Sequence, residues 1–267
     1  AIATNTRVEG GGAYFLISRS LGPEFGGAIG LLFFFAQALS VALYVIGFSE
    51  AAIAYLPAGT SPTLIATCTN LFVFACVVIG AGWAMKVQFV ILAAVSASLL
   101  SFYLGAWRSF DVDLLATNAM PQYAEGETFW TIFALFFPAV TGIMAGANMS
   151  GDLRDPGRSI PLGTLAAIVV TGLVYVSQAI LLGSSRPRDE LSADTMIMAD
   201  IAVLPAMIAA GVFAATLSSA LGSMMGAPRI LQSLSRDRLF RWLQPFGLGS
   251  GVNREPRRAI VASFLIA

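Results

Sequence analysis

The sequence has no histidine, only two cysteines and very little charge, and each shortage removes a class of function. Without histidine there is no imidazole to titrate near neutral pH and no usual nitrogen ligand for zinc or copper. Cys68 and Cys76 stand eight residues apart in one apolar stretch. That is no disulfide framework, and both read as small core side chains. Charged residues make up 11% of the chain, whereas a soluble domain carries about 25%. The 15 Lys+Arg are matched by 15 Asp+Glu, so there is no basic footprint for nucleic acid.

What the chain has in abundance is apolar surface. Hydrophobic residues are 57% of the total and mean hydropathy is +0.79. Charge-free windows cover 25–49, 51–85, 87–107, 128–151, 159–185 and 201–228. Each is long enough to cross a hydrocarbon core of ~30 Å as a helix of ~20 residues. Pro57, Gly59 and Pro62 divide the second window from the first, because such residues mark turns. The expected architecture is an all-α polytopic membrane protein. Its spans fall at about 26–49, 62–83, 87–106, 129–150, 161–183 and 201–226, with the start of another at 259–267. Residues 1–267 as a whole read as a partial transmembrane transport domain. The missing initiator methionine and the run cut off at VASFLIA suggest an internal fragment of a longer chain.

Orientation follows from the loops. With six crossings they fall into two sets, and Arg or Lys concentrates in 1–24, Lys86, 152–158 and 229–258. The other set has only Arg108, Arg186 and Arg188, and it holds most of the acidic residues. Positive charge stays inside, so the start of the chain and the loop 229–258 are expected to be cytoplasmic. Within that loop, 229–246 sets Ile230, Leu231, Leu234, Leu239 and Trp242 among four arginines. Two readings stand: an amphipathic helix on the inner membrane surface, or a helix packed under the bundle. Residues 108–127 and 184–200 are expected to be external loops.

The fourth window breaks its own helical pattern in the run FFPAVTGIMAGANMSGD. Pro138 has no N–H, so the Ala134 carbonyl loses its helix partner. Gly142 and Gly146 each weaken the helix by about 1 kcal/mol relative to Ala, and Thr141 offers a hydroxyl. The break lies near the bilayer midplane, where secondary transporters bind ions at discontinuous helices. The alternatives are a simple proline kink and a Gly-x-x-x-Gly close-packing motif. The sixth window carries Thr216, Ser218, Ser219 and Ser223 within eight residues. Their hydroxyls suit a hard cation, or else bond to the preceding turn and to neighbouring helices. Tyr44 reads either as an interfacial aromatic or as a phenolic oxygen turned toward a cation. No charged residue stands inside a window, which argues against a proton relay or voltage sensor.

Three phrases carry a resemblance: GGGAYFLISRSLGPEFGGAIGL, FFPAVTGIMAGANMSGDLRDPGRSIPLGTL and FAATLSSALGSMMGAPRILQSLSRDRLF. They resemble the cation–chloride cotransporters of the amino acid–polyamine–organocation superfamily over nearly the whole chain. The resemblance implies a partial inverted-repeat transporter fold with a broken helix. The chain would run from the end of the family's second helix to the start of its ninth. Carried over by motif, Tyr44, Pro138 and Thr141 match the potassium-binding positions. Gly142, Ile143 and Met144 match the chloride-binding amides, with Met144 where leucine is more usual. Ala215, Ser218 and Ser219 match the sodium-binding positions. Tyr44 together with the serine pair resembles the sodium–potassium–chloride type. The external loops are shorter than in animal members, and the triplet Asn148-Met149-Ser150 falls inside a span, which suggests a prokaryotic or divergent relative.

The expected function is therefore secondary active symport of chloride with sodium and potassium by alternating access, with the fragment alone inactive. The alternatives are an amino-acid permease of the same superfamily or a non-transporting membrane scaffold. No enzymatic activity, cofactor or catalytic residue is expected, and no metal beyond monovalent cations. The partners expected are the lipid bilayer and small inorganic ions (Na+, K+, Cl−), not nucleic acid, with a homodimer left open. The expected location is multi-pass in a plasma or inner membrane.

Overall fold

The computed structural model describes residues 11–148, 153, 155–250 and 255–267. Expectations placed on residues 1–10, 149–152, 154 and 251–254, Met149 and Ser150 among them, lie outside the described residues. The chain is helical in the order α1 (Gly12–Leu21), α2 (Pro23–Ile53), α3 (Pro62–Ile79), α4 (Ala81–Arg108) and α5 (Val112–Asn118). It continues with α6 (Phe129–Phe136), a 3-10 turn (Phe137–Val140), α7 (Ala145–Asn148) and α8 (Pro156–Ser185). The last elements are α9 (Arg188–Ala193), α10 (Ile197–Ile201), α11 (Pro205–Arg236), a 3-10 segment (Arg241–Gly247) and α12 (Arg257–Ile266). Among the described residues the only β pairing is a bridge between Ser250 and Glu255. Among the described residues five helices, α2, α3, α4, α8 and α11, are long and apolar enough to cross a membrane. The other expected span, 129–150, is no continuous helix, and its described part is divided among α6, a 3-10 turn and α7.

The helix ends follow local chemistry. Pro23 opens α2 and Pro62 opens α3 at positions where a missing N–H costs nothing. The junction between α3 and α4 lies at Gly80, whose φ of 135° ends a helix. This corrects the expected limits of 83 and 87, which placed the turn at Lys86. Lys86 instead lies in α4, where its methylene stem can run along apolar surface while the ammonium reaches the interface.

The chain forms two compact units. One comprises Ala1–Ile91, Gly142–Ala166 and Ala215–Ala267, and the other comprises Leu92–Thr141 and Ala167–Ala214. In the first unit α1 lies close against α2. A Cβ at Gly30 would stand 2.5 Å from the Tyr14 ring, and one at Gly26 2.6 Å from the Ser18 Cα. Lipid is as apolar as leucine, so helices in a bilayer gain by close approach, and small residues four apart permit it. Tyr14 is fully buried and donates to an Asp237 carboxylate oxygen at 2.6 Å, while Arg19 donates to the other at 2.9 Å. Burial first, and the Asp237 bond second, push the Tyr14 phenol well above its ordinary range, so it stays a donor.

Phe34 and Ala38 of α2 share this core with Ile230, Leu231 and Leu234. Those last three are 0%, 1% and 0% exposed. The expectation of a loop beginning at 229 is corrected: α11 continues without a break to Arg236. Its apolar side chains find protein partners, so the packed reading replaces the surface helix for this stretch. Beyond it the chain turns into the 3-10 segment, with Leu243 buried and Trp242 exposed.

In the second unit Phe102 and Ala106 of α4 pack with Leu181, Ile201 and Ile208. Ser101 and Leu204 exchange hydrogen bonds, the Leu204 amide donating to Ser101 Oγ at 2.9 Å. The segments expected as loops contain helices of their own. Asp111 caps α5 through the amides of Asp113 and Leu114. Asn118 donates to the Gly183 and Arg186 carbonyls at 2.7 and 2.9 Å, and Arg188 donates to the Asn118 and Met120 carbonyls.

Large apolar side chains stand exposed along the long helices, among them Leu32, Leu39 and Leu43 on α2 and Leu165, Val169 and Val176 on α8. Such faces belong in lipid. Cys76 is buried as expected, whereas Cys68 is exposed on α3 and is no core residue.

At Gly105 a Cβ would collide with the Ile201 carbonyl oxygen, a backbone atom that cannot rotate away. Gly82, in the same helix, has no described atom within 4 Å of such a position. In the purified full-length protein Gly105→Ala should lower the thermal midpoint, at a cost of about 1–3 kcal/mol. Gly82→Ala should leave it level or raise it. Equal midpoints for the two would refute the close contact.

Candidate functional site

The residues that the sequence marks out fall into three groups, and the structure treats them differently. The first is the broken helix. Thr128 and Thr131 form a capping box that starts α6, each side chain accepting from the other's amide, at 3.3 and 2.7 Å. Pro138 then tightens the chain into the 3-10 turn. The Thr141 amide donates to the Pro138 carbonyl at 3.1 Å, after which Thr141 is extended, with φ −62° and ψ 151°. Gly142 follows with a φ of 95° and accepts from the Ala145 amide at 2.9 Å. The freed Ala139 carbonyl is taken up by the Tyr175 hydroxyl at 2.7 Å. The chain thus leaves helical geometry at Thr141 and Gly142, as the Pro-x-x-Thr-Gly pattern predicts.

Gly142, Ile143 and Met144 form the turn that leads into α7. They lead into a single helical turn, Ala145–Asn148, whose first N–H groups lack intrahelical partners. Past them Asn148 is 2% exposed. A Cβ on Gly12 would collide with its Oδ1, and one on Gly226 would meet its Nδ2 at 3.0 Å.

The second group lies on α11. Ala215, Ser218 and Ser219 fall at i, i+3 and i+4, so they share one helical face. Both serines are half-buried. The helix is unbroken here, so the Ala215 carbonyl takes part in the ladder. Ser218 is also tied to α4: its hydroxyl donates to Gln88 Oε1 at 2.5 Å, and Gln88 Nε2 donates to its carbonyl at 3.1 Å. The reading of this hydroxyl as an interhelical tie is therefore realised at Ser218, through a residue that the sequence analysis passed over. The signal available was Gln88 as the one amide side chain in the window 87–107.

The third is Tyr44, which lies on α2, half-buried and close along the helix to buried Val41 and Val45, so it is not simply an outward aromatic. It belongs to the first unit, while Pro138 and Thr141 belong to the second. Among the described residues no group of His, Cys, Asp or Glu could hold a metal ion. Any cation held at these positions would meet neutral oxygens.

The helices, their apolar faces and the break define a polytopic all-α membrane protein. A family model described as amino acid permease matches residues 1–267. The chain belongs to the amino acid permease family. It is 38% identical over 324 residues to Solute carrier family 12 member 1 of Homo sapiens, covering 100% of this chain and 30% of that protein. Against Solute carrier family 12 member 2 of Mus musculus it is 39% identical over 323 residues, covering 100% of the chain and 27% of the relative. The member 2 protein of Squalus acanthias is 37% identical over 323 residues, with the same shares. The chain thus spans less than a third of the length of these relatives. These matches agree with the resemblance to cation–chloride cotransporters drawn from the three phrases. The alignments are longer than the chain, so the relatives hold extra residues within the matched region.

The glycines of the break separate the competing readings. At neither Gly142 nor Gly146 would a Cβ have a described atom within 4 Å, so neither serves close packing there. Of the two, Gly142 alone has a positive φ. Gly142→Ala should therefore lower the thermal midpoint by a conformational penalty of about 1–2 kcal/mol. Gly146→Ala should be neutral or stabilising. Loss of stability at Gly146 alone would restore the close-packing motif.

Proposed function

We propose that the chain is the core of a symporter that moves chloride with sodium and potassium by alternating access. The observation that carries this reading is the break at Thr141 and Gly142, set in an apolar segment without charge. In this reading the Tyr44 phenol, the Pro138 carbonyl and the Thr141 hydroxyl each offer an oxygen to potassium. The amides of Gly142, Ile143 and Met144 offer hydrogen-bond donors to chloride. Ala215, Ser218 and Ser219 offer oxygens to sodium. The fold would be one part of an inverted-repeat transporter. The chain would start on the cytoplasmic side of a plasma or inner membrane, as the arginine and lysine distribution favours.

The chemistry follows from neutral ligands. Hydroxyls and carbonyls stabilise a cation without cancelling its charge, so a nearby anion has to do so. At 4 Å and an effective dielectric of about 20, unit charges attract by ~4 kcal/mol. That is ample for one ion to raise the affinity of the other, and it couples the fluxes without a carboxylate.

Chloride-dependent rubidium uptake by the full-length protein tests the reading. Thr141→Ala should weaken rubidium affinity by about tenfold, the worth of one lost charge-assisted contact, and the chloride dependence should fall with it. Unchanged uptake would remove Thr141 from the site. Uptake driven by an amino acid and indifferent to chloride would replace the ion reading with that of a permease.

A further inference from the structure

Serine hydroxyls inside apolar helices normally return their proton to the carbonyl one turn back. In this chain Ser40, Ser49, Ser235 and Ser263 all do so, donating to the carbonyls of Ala36, Val45, Leu231 and Ala259. Ser218 departs from this habit. Its hydroxyl donates across to Gln88 Oε1 at 2.5 Å, on a helix 130 residues away in sequence. The Gln88 amide is itself fixed: its Nε2 donates to the Ser218 carbonyl at 3.1 Å. A carbonyl only accepts, so the amide nitrogen must face it and the amide oxygen must face the hydroxyl. Both partners are half-buried and belong to the same compact unit.

The consequence concerns the lone pairs of Ser218. A hydroxyl that ligates a cation must present oxygen lone pairs to it and direct its proton elsewhere. By taking the proton, Gln88 Oε1 orients Ser218 Oγ as an acceptor. The bond from Gln88 Nε2 to the Ser218 carbonyl locks the amide against a flip that would put its donor toward that hydroxyl. Held otherwise, an amide NH2 beside Ser218 would repel the ion.

We infer that Gln88 is a positioning residue of the proposed sodium site, holding the Ser218 hydroxyl with its lone pairs free for the cation. The inference rests on the sodium reading of Ala215, Ser218 and Ser219 given above. Gln88 touches the serine and not the ion, so it acts on sodium affinity and not on the number of ions carried.

The test uses the full-length protein in proteoliposomes, measuring chloride-dependent rubidium uptake as sodium is varied. Ser218→Ala, Gln88→Leu, Gln88→Glu and the Ser218→Ala/Gln88→Leu pair are compared. Gln88→Leu should raise half-saturating sodium by about three- to tenfold. Maximal uptake and half-saturating rubidium and chloride should stay within about twofold. Gln88→Glu keeps an acceptor for the hydroxyl and adds a negative charge that attracts the cation, so its half-saturating sodium should not exceed the wild-type value by more than about twofold. The pair should be no worse than Ser218→Ala alone, because both changes remove one device. If Gln88→Leu fails to reach the membrane, Gln88→Met, of similar length and without an amide, carries the same expectation.

A sodium shift in Ser218→Ala without one in Gln88→Leu or Gln88→Met would overturn the inference and leave the sodium site standing. Equal shifts in the Leu and Glu variants, or additive shifts in the pair, would likewise overturn it. If neither Ser218→Ala nor Gln88→Leu alters the sodium response while rubidium uptake persists, the sodium reading itself fails and the inference falls with it.

Discussion

Hydrocarbon offers the backbone no hydrogen-bond partner, and the structure is organised around that constraint. The long segments are helices because a helix satisfies its own amides and carbonyls over its whole interior. The same rule governs the side chains: Thr67, Thr69 and Thr171 fold their hydroxyls back onto the helix that carries them. Where the helix stops, substitutes are in place. Thr128 and Thr131 cap each other's amides at the start of α6, and Tyr175 reaches the carbonyl of Ala139 beside the break. The few polar groups that reach between helices instead of into their own are therefore informative. Tyr103 with Ser177, Ser101 with Leu204, and Gln88 with Ser218 are such cases.

Association between helices needs a second principle, because apolar side chains gain nothing from leaving lipid for protein. Close contact supplies it, and glycine permits the contact. Gly26 and Gly30 admit α1 to the surface of α2, Gly105 admits the Ile201 carbonyl, and Gly211 admits Ser98. Glycine serves a different end at Gly80 and Gly142, which have a single side-chain neighbour or open surroundings but a positive φ. The first kind is chosen for volume and the second for backbone freedom. A Gly-x-x-x-Gly spacing does not tell them apart. Gly26 and Gly30 fit the packing motif, and Gly142 and Gly146 have the same spacing without the packing.

This difference explains what could be read from the sequence. Charge-free windows located the long helices, since span length is set by the bilayer and the signal is summed over about 20 residues or more. The break was legible because Pro138, Thr141 and Gly142 act locally, each on its own turn. Helix limits were less legible. Lys86 marked the expected turn, but Gly80 makes it, because a lysine can stay helical and snorkel whereas a φ of 135° cannot be helical. The continuation of α11 to Arg236 was left open, as its arginines suit a membrane surface and its leucines suit a core equally well. Tyr14, Phe34 and Ala38 decide it, and they lie far earlier in the chain. Gln88 was missed for the same reason: its meaning lies in a partner that no local pattern announces.

On the proposed reading, the scarcity of charge has one further consequence. A site built from Tyr44, Thr141, Ser218, Ser219 and backbone groups brings no formal charge of its own. An unbalanced ion carried through it would bear the whole desolvation cost of a charge in a low-dielectric medium, which fixed dipoles only partly offset. Cations and anions bound together largely cancel that cost, so the complex best able to cross is the neutral one. A carboxylate in the site would remove this requirement, because it would neutralise a cation without help and let it move without chloride. The neutral ligands are in this sense what enforces coupling. The orientation of each hydroxyl then decides affinity, since neutral oxygens act only through the direction of their lone pairs.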